Sequence, residues 1–188
     1  NVKNHFKQKD VLILGQGPSI KKKKEIKKLL KFINEKKPIV ISININKYIQ
    51  EKYIDYYATF NDKRILVDHL NYKKIKKPLI IPAYIYKKIS RNFNTKRILD
   101  YGAQIKKNTF DAKNNYCVLP DTNQSFGYVL ALAAAGCAKK IFLFGFDGYS
   151  EGHHLNFEMN SLLTFFKKRF KQIEINSLSK TIYKIDNY

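Results

Sequence analysis

The distribution of apolar and polar residues along the chain predicts strands that alternate with helices. Apolar residues at helical spacing predict helices over about residues 19–36, 126–135 and 158–170. Strands alternating with helices favour a parallel sheet. The predicted fold class is therefore α/β, a Rossmann-like three-layer sandwich with a mostly parallel sheet. Four apolar runs carry the strand prediction: Val11–Leu14, Ile39–Ile43, residues 56–60 and residues 140–147.

Residues 62–115 give the weakest pattern. A short strand is predicted at 79–82, and the stretch 84–101 mixes basic with aromatic residues. Those rings are as suited to stacking on a base as to packing under a loop, and we favour packing. Two further short strands are predicted at Tyr116–Leu119 and 173–175. With no internal repeat and no linker, one nucleotide-binding α/β domain is expected over residues 1–188.

The turn after the first strand, Gly15-Gln16-Gly17-Pro18-Ser19, carries the first candidate site. The two glycines let the backbone approach a ligand, Pro18 fits a helix start, and Ser19 is suited to capping the free N–H groups. Such groups, at the positive end of a helix dipole, suit a phosphate or a carboxylate. The alternative is a strand-to-helix turn without a ligand.

Two common nucleotide motifs do not fit this turn. A dinucleotide fingerprint needs a third glycine where the chain has Ile20, and an acid after the second strand where it has Asn44 and Asn46. A P-loop needs Gly-Lys followed by Ser or Thr, but Pro18 follows Gly17. Binding of NAD and Walker-type ATP hydrolysis are both disfavoured.

Short polar residues follow the second and third strands. Asn44 and Asn46 end the second, and Asn61 and Asp62 end the third. Because the carboxyl ends of parallel strands form the binding crevice of such sheets, these side chains are expected to bind ribose or a base edge. Asparagine also forms turns, so each residue alone is ambiguous, but three together favour a site.

The Ala- and Gly-rich helix at 126–135 provides a second candidate site. Asn123 and Ser125 precede or open it and are expected to contact an anion or ribose. Gly127, in its first turn, belongs to the same expected nucleotide site and lets the helix lie close to the sheet. Gly136 is expected to cap its carboxyl end.

The loop after the strongest strand concentrates chemically active side chains. Asp147 is expected at the nucleotide, and Tyr149, His153 and His154 are the candidate catalytic residues. Histidine exchanges protons near neutral pH. In an extended loop the adjacent histidines would point to opposite sides, so only one would face a substrate. A solvent-exposed loop is the alternative, and two or three mixed ligands are a weak signal for a metal.

The net charge of the chain indicates which classes of binding partner are expected. The formal charge is +21, from 36 Lys and Arg against 15 Asp and Glu, but only four of the 36 are Arg. Because Arg is the residue preferred for bidentate phosphate and base contacts, nucleic-acid binding is not expected. The positive charge is instead expected to attract anionic substrates, or a membrane surface that carries acidic acceptors.

The cysteines and the hydropathy of the chain indicate the cellular compartment in which the protein is expected. Cys117 and Cys137 lack metal-ligand spacing and are expected to be buried free thiols in a reducing compartment. No apolar run approaches the length of a membrane span. We expect a cytoplasmic protein, with peripheral attachment to an inner membrane as the alternative. Because the sequence does not begin with Met, a fused upstream domain is also expected.

Five segments, taken in order, resemble two related groups of bacterial proteins. One group is the α-2,3/2,8-sialyltransferases, which use CMP-sialic acid without a DXD metal motif. The other comprises the motility accessory factors and the 6-hydroxymethylpterin pyrophosphokinase-like proteins. The resemblance covers about residues 10–60 and 116–155. Its segments are LILGQGPSI, ISININ, ATFND, DTNQSFGYVLALAAAGCAKKIFLFGFDGY and GHH.

The resemblance implies a nucleotide site. Gly15, Gln16, Gly17 and Ser19 would line the phosphate, Asn44 or Asn46 and Asn61 would hold ribose and phosphate, and Ser125 would contact the base or ribose. The sialyltransferases usually have Asn at the position of Gln16, and their catalytic histidine lies in a long lid for which this chain has no room. The ending GFDGYSEGHH is more similar to that of the second group.

Three functions are compatible with these features. The first is a glycosyltransferase-like enzyme of surface-carbohydrate metabolism, with a CMP-sugar donor, no tightly bound cofactor, and His153 or His154 as base. The second is diphosphate transfer from ATP, with Mg²⁺ held through Asp147 and the nucleotide phosphates. The third is a non-catalytic nucleotide-binding module attached to an aldolase-type barrel, as the resemblance implies.

Overall fold

The fold is described from a computed structural model, which describes residues 2, 4–89, 97–120 and 124–188. Asn123 of the expected nucleotide site lies outside the described residues. The helices are α1 Lys23–Lys36, α2 Asp62–Tyr72, α3 Ala83–Ile89, α4 Ser125–Ala135 and α5 His154–Arg169. The strands are β1 Val11–Leu14, β2 Ile39–Ile43, β3 Tyr56–Ala58, β4 Leu79–Ile81, β5 Ile98–Asp100, β6 Gly102–Ile105, β7 Asp111–Ala112, β8 Tyr116–Leu119, β9 Lys140–Phe144, β10 Glu174–Ser177 and β11 Asp186–Asn187.

Eight parallel strands form the main sheet, in the order β11-β10-β9-β1-β2-β3-β4-β5. Val11 at the start of β1 pairs with Ile39 of β2 on one side and with Ile141 of β9 on the other. All four β1 side chains are buried, as expected for a strand covered on both faces. The predicted α/β fold, a Rossmann-like three-layer sandwich, is confirmed.

The order of the strands places a topological switch point at β1. From β1 the chain crosses the sheet through β2 to β5, and it later continues from β9 through β10 to β11 on the opposite side. Because parallel crossovers are right-handed, α1 and α5 lie on opposite faces of the sheet. A crevice opens at the carboxyl ends of the strands where the direction reverses, and ligands of such folds bind there.

A second sheet has the order β6-β8-β7. β6 pairs with β8 in parallel and β7 pairs with β8 in antiparallel orientation. The strand predicted at Tyr116–Leu119 therefore exists but lies outside the main sheet. Tyr101, from the basic aromatic stretch, is fully buried, and its hydroxyl donates to the carbonyl of Lys113, whereas Tyr84 is half exposed.

The helix α4 is the most deeply buried helix among the described residues, with ten of its eleven residues buried. Gly127 faces Leu162 of α5, where a β-carbon would crowd the leucine side chain. The prediction that Gly136 forms a left-handed cap is wrong. Gly136 has φ −77°, and the left-handed residue is Cys137, with φ 61°. Gly136 is required because a β-carbon there would clash with Phe6.

Two helices begin at residues other than those predicted. The segment predicted as one helix from residue 19 is a 3₁₀ turn, Pro18–Lys21, followed by α1 from Lys23. Ser19 does not cap α1, because its side chain bonds to Asp147 instead. The last long helix begins at His154, four residues before the predicted start. Of the helices in the described residues, none has both the length and the apolar character of a membrane span.

Candidate functional site

A cavity of about 500 Å³ opens at the switch point. Its walls come from the segments that follow β1, β2, β3 and β9 and from the first turns of α2 and α4. Of the residues predicted for the site, nine lie on these walls. They are Gly15, Gln16, Gly17, Pro18, Asn44, Asn61, Ser125, Asp147 and Tyr149.

The glycines of the first turn allow two strand ends to meet. The Gly15 N–H donates to the Phe144 carbonyl at 2.7 Å, and the Gly17 N–H donates to the Gly145 carbonyl at 2.8 Å. A β-carbon on Gly15 would clash with the Gly145 carbonyl, and one on Gly17 would also clash with the Asp147 carboxylate. Both glycines are therefore required by contacts within the protein.

An internal carboxylate occupies the helix start that is expected, from the sequence, to hold a ligand anion. Asp147 accepts hydrogen bonds from the Ser19 N–H at 3.1 and 3.2 Å and from the Ser19 hydroxyl at 2.8 Å. Ser19 is buried and does not line the cavity. Asp147 thus joins the β9 end of the cavity to the β1 turn.

Gln16 bridges two elements through both ends of its amide. Its Nε2 donates to the Ile45 carbonyl at 2.8 Å, and its Oε1 accepts from Nη2 of Arg64 at 3.3 Å. The resemblance implies that Gln16 lines a nucleotide phosphate, and Gln16 does lie on the cavity wall. In the structure its amide ties the turn after β1 to the segment after β2 and to α2.

The two asparagines of the cavity wall each use the side-chain oxygen in a hydrogen bond within the protein. Asn44, in the left-handed conformation with φ 57°, accepts through Oδ1 from the Thr59 hydroxyl at 2.7 Å. Asn61 caps α2, and its Oδ1 accepts from the Arg64 N–H at 3.0 Å. Because each Oδ1 already accepts a hydrogen bond, the Nδ2 groups remain as donors.

Asn46 and Asp62 lie outside the cavity wall. The Asn46 side chain is buried, and its Oδ1 accepts from the N–H groups of Tyr48 at 2.9 Å and Ile49 at 3.1 Å. This is an Asx turn that shapes the chain after β2. Asp62 accepts from the N–H of Lys63. For both residues the structure shows a local backbone role.

Arg64 is a site residue that the sequence pattern does not predict. It lies in the first turn of α2 and lines the cavity with its side chain 43% exposed. Its Nε is 2.9 Å from Oδ2 of the buried Asp68, one helical turn later. No local signal in the sequence marks Arg64, because the pattern does not predict α2 itself.

The start of α4 forms the opposite wall. Ser125, only 6% exposed, accepts through Oγ from the Phe60 N–H at 3.1 Å and so connects α4 to the end of β3. Gln124 also lines the cavity, and its Nε2 donates to Glu158 of α5 at 3.0 Å. Gly127 faces Leu162 rather than the cavity.

The candidate catalytic residues form a stack at the rim. The rings of Tyr149 and His153 are 4.8 Å apart, and those of His153 and His154 are 4.7 Å apart, with interplanar angles of 20° and 19°. The expectation that the two histidines point to opposite sides is wrong, because they begin a helix rather than extend along a loop. Only Tyr149 of the three lines the cavity.

The two histidines differ in their hydrogen bonding. Nδ1 of His153 accepts from the Leu155 N–H at 3.2 Å, which caps α5. In the neutral ring the proton is then on Nε2, so His153 offers a donor and no free lone pair. His154 is exposed, and neither ring nitrogen has a hydrogen-bond partner among the described residues.

Tyr183 lines the apolar side of the cavity together with Phe126, Phe146 and Met159. Burial raises the pKa of Tyr183 to about 12, and the nearby Tyr149 phenol and Asp147 carboxylate add to the shift. The hydroxyl therefore stays protonated at physiological pH. The rings of Phe126 and Phe146 lie 4.8 Å apart, tilted by 44° to each other, and form an apolar wall.

Within the described ranges, no group of three or more His, Cys, Asp and Glu side chains is arranged to hold a metal ion. Comparisons with protein-family models, with curated proteins and with solved structures find no match to the chain.

Proposed function

We propose that the chain binds a nucleotide or nucleotide-sugar in the cavity at the switch point and acts as a glycosyltransferase-like enzyme of surface-carbohydrate metabolism. One observation carries the proposal. Segments that follow four parallel strands meet at one cavity of about 500 Å³, within the usual range of about 300–1,000 Å³ for small-molecule sites. Eight of the residues expected at a nucleotide lie on its wall, together with Tyr149, a candidate catalytic residue.

The two sides of the cavity suit the two ends of a nucleotide. Phe126, Phe146, Met159 and Tyr183 form the apolar side, which fits the faces of a base. Amide and hydroxyl groups of Asn44, Asn61 and Ser125 line the polar side and fit ribose and phosphate oxygens. A ligand that is part aromatic and part polar matches this division.

The stack at the rim is where we place transfer to an acceptor. A base needs a ring nitrogen with a free lone pair, and His154 meets this requirement whereas His153 does not. An acceptor hydroxyl would approach over His154, while Tyr149 borders the donor in the cavity. The charge of +21 would draw an acidic sugar or an anionic membrane surface to this rim.

Calorimetric titration with CMP, CDP, ATP and GTP, each with and without Mg²⁺, tests the binding. We expect saturable binding of a cytidine nucleotide without Mg²⁺. Absence of binding by all four up to millimolar concentration would overturn the proposal. Binding of ATP that requires Mg²⁺ would favour diphosphate transfer instead.

Release of CMP from CMP-sialic acid tests the chemistry. The variant His154→Ala should lose turnover and keep CMP affinity. His5→Ala is the matched control, because His5 bonds to the Tyr56 hydroxyl at 2.7 Å and does not line the cavity. If CMP binds while no turnover is detected with sugar acceptors, the chain is a non-catalytic binding module.

A further inference from the structure

We propose that Arg64 recognises the phosphate of the bound nucleotide and that Gln16 and Asp68 are positioning residues that hold its guanidinium in place. The inference rests on the proposed function, since it assigns the phosphate within the same cavity. It moves the phosphate from the turn at Gly15 and Gly17 to the edge formed by α2.

The guanidinium is fixed from two directions. Nε meets the Asp68 carboxylate at 2.9 Å, and Nη2 donates to Gln16 at 3.3 Å. Asp68 is one of the buried residues of α2 and does not line the cavity. Nη1 has no acceptor among the described residues. An arginine with one edge held and another open is preorganised to donate to an anion.

The side chains around Arg64 offer more donors than acceptors. Oδ1 of Asn44 accepts from Thr59 and Oδ1 of Asn61 accepts from the Arg64 backbone, so each oxygen has one of its two lone pairs in use. The two Nδ2 groups and the guanidinium are donors only. Phosphate oxygens accept and do not donate, so a phosphate satisfies this edge better than a hydroxyl-rich ligand.

Two other N–H groups near the cavity already have acceptors within the protein. The Ser19 N–H donates to Asp147, and the Arg64 N–H, in the first turn of α2, donates to Asn61. The first turn of α4, by contrast, has no side-chain cap. Although the chain has 36 Lys and Arg, Arg64 is the one cationic side chain that lines the cavity in the described part of the chain. A phosphate in the cavity therefore has Arg64 as its counter-charge.

Calorimetry with CMP and with cytidine, which lacks the phosphate, tests the assignment. In the native chain CMP should bind more tightly than cytidine. Arg64→Gln should weaken CMP binding by about 10- to 100-fold, the usual range for a charged hydrogen bond, and leave cytidine unchanged. Arg169→Ala is the matched control, because Arg169 pairs with Asp111 outside the cavity.

The positioning residues have a separate readout. Gln16→Ala and Asp68→Asn should each lower the ratio of CMP to cytidine affinity by about 3- to 10-fold, because they free the guanidinium without removing it. A structural role alone would lower both affinities equally. Arg64→Lys, which keeps the charge but loses the fork, should fall between Arg64→Gln and the native chain.

The outcomes separate the two proposals. If the native chain binds neither CMP nor cytidine, the proposed function fails, and the assignment of Arg64 with it. If the native chain binds both equally, or if Arg64→Gln binds CMP as tightly as the native chain, nucleotide binding stands and the assignment of Arg64 is overturned.

Discussion

The Asp147 carboxylate accepts hydrogen bonds from both the N–H and the hydroxyl of Ser19, although the two residues are 128 positions apart in the chain. This contact joins the ends of β1 and β9 on either side of the switch point. It also places a negative charge of the protein at the helix start that the sequence pattern assigns to a ligand anion. The turn after β1 is thus part of the cavity wall, and the carboxylate bound at its helix start is supplied by the protein.

Replacing Asp147 should open an anion site at Ser19. Asp147→Ala leaves the Ser19 N–H and hydroxyl without their acceptor, and we expect a loss of about 1–3 kcal/mol in the free energy of unfolding. Sodium formate should restore part of the melting temperature, because formate supplies the missing carboxylate. Sodium chloride at equal ionic strength is the control. An equal response of the variant and the native chain to formate would contradict this prediction.

The turns after β1 and β9 lie so close together that a single methyl group added at Gly17 should destabilise the fold. Gly17→Ala would crowd the Gly145 carbonyl and the Asp147 carboxylate, and we expect a loss of about 1–3 kcal/mol by urea unfolding. Gly152→Ala is the control, because no atom lies within 4 Å of its β-carbon, and only its φ of +76° opposes the change. Its cost should be about 1 kcal/mol. A smaller effect at Gly17 than at Gly152 would show that the two turns are not packed in this way.

The end of α4 predicts opposite effects at neighbouring positions. Cys137→Gly should stabilise the chain by about 1 kcal/mol, because glycine adopts the left-handed conformation of that residue without strain. Gly136→Ala should destabilise it, because the methyl group would clash with Phe6. Thermal unfolding of the two variants side by side measures both signs, and effects of the same sign would refute this description of the helix end.

Buried tyrosines predict a loss of stability in alkali. Burial, with the nearby Glu51 charge, raises the pKa of Tyr57 to about 12, and the pKa of Tyr183 is raised to a similar value. Above the ordinary tyrosine pKa of 10.0, the unfolded chain loses these protons while the folded chain keeps them. The free energy of unfolding should therefore fall as the pH rises from 10.0 toward about 12.

Urea unfolding at a series of alkaline pH values measures this effect, and the absorbance of tyrosinate reports which rings have lost their protons. Tyr57→Phe and Tyr183→Phe should each flatten the decline. If stability does not change across this range, the two hydroxyls are not buried as described.

The core of the sheet could be predicted because its strands are buried on both faces. Each is then a short continuous apolar run, such as Val11–Leu14, and the pattern needs no information from distant residues. The polar residues that end these strands mark the crevice for the same reason. The sequence pattern therefore suffices to bring Asn44, Asn61 and Asp147 to one edge of the sheet.

The helix α2 could not be predicted from the sequence pattern, and for that reason Arg64 was not predicted as a site residue. Its buried residues, Ile65, Asp68 and Tyr72, have helical spacing, but Leu66, Val67 and Leu70 are exposed on the other face. Apolar residues on both faces remove the periodicity that marks an amphipathic helix. Asp68 also breaks the apolar pattern of the buried face, because a carboxylate is expected to be buried only when a partner such as Arg64 is known.

Other features could not be predicted, because they depend on contacts between residues that are distant in sequence or on where a helix begins and ends. Cys117 is buried as expected, and burial raises its pKa to about 12, but Cys137 is exposed, because it lies in the turn that ends α4. The stack of Tyr149, His153 and His154 depends on where α5 begins. The pairing of Asp147 with Ser19 depends on β9 lying beside β1.

Titration of the isotope-labelled chain with CMP, followed by the backbone amide resonances in solution NMR, is the sharpest test of nucleotide binding at the switch point. We predict that shifts concentrate at Gly15, Asn44, Asn61, Arg64 and Ser125, around the cavity. No shifts at saturating CMP, or shifts confined to the opposite, amino-terminal edge of the sheet around Lys37 and Lys52, would contradict this prediction.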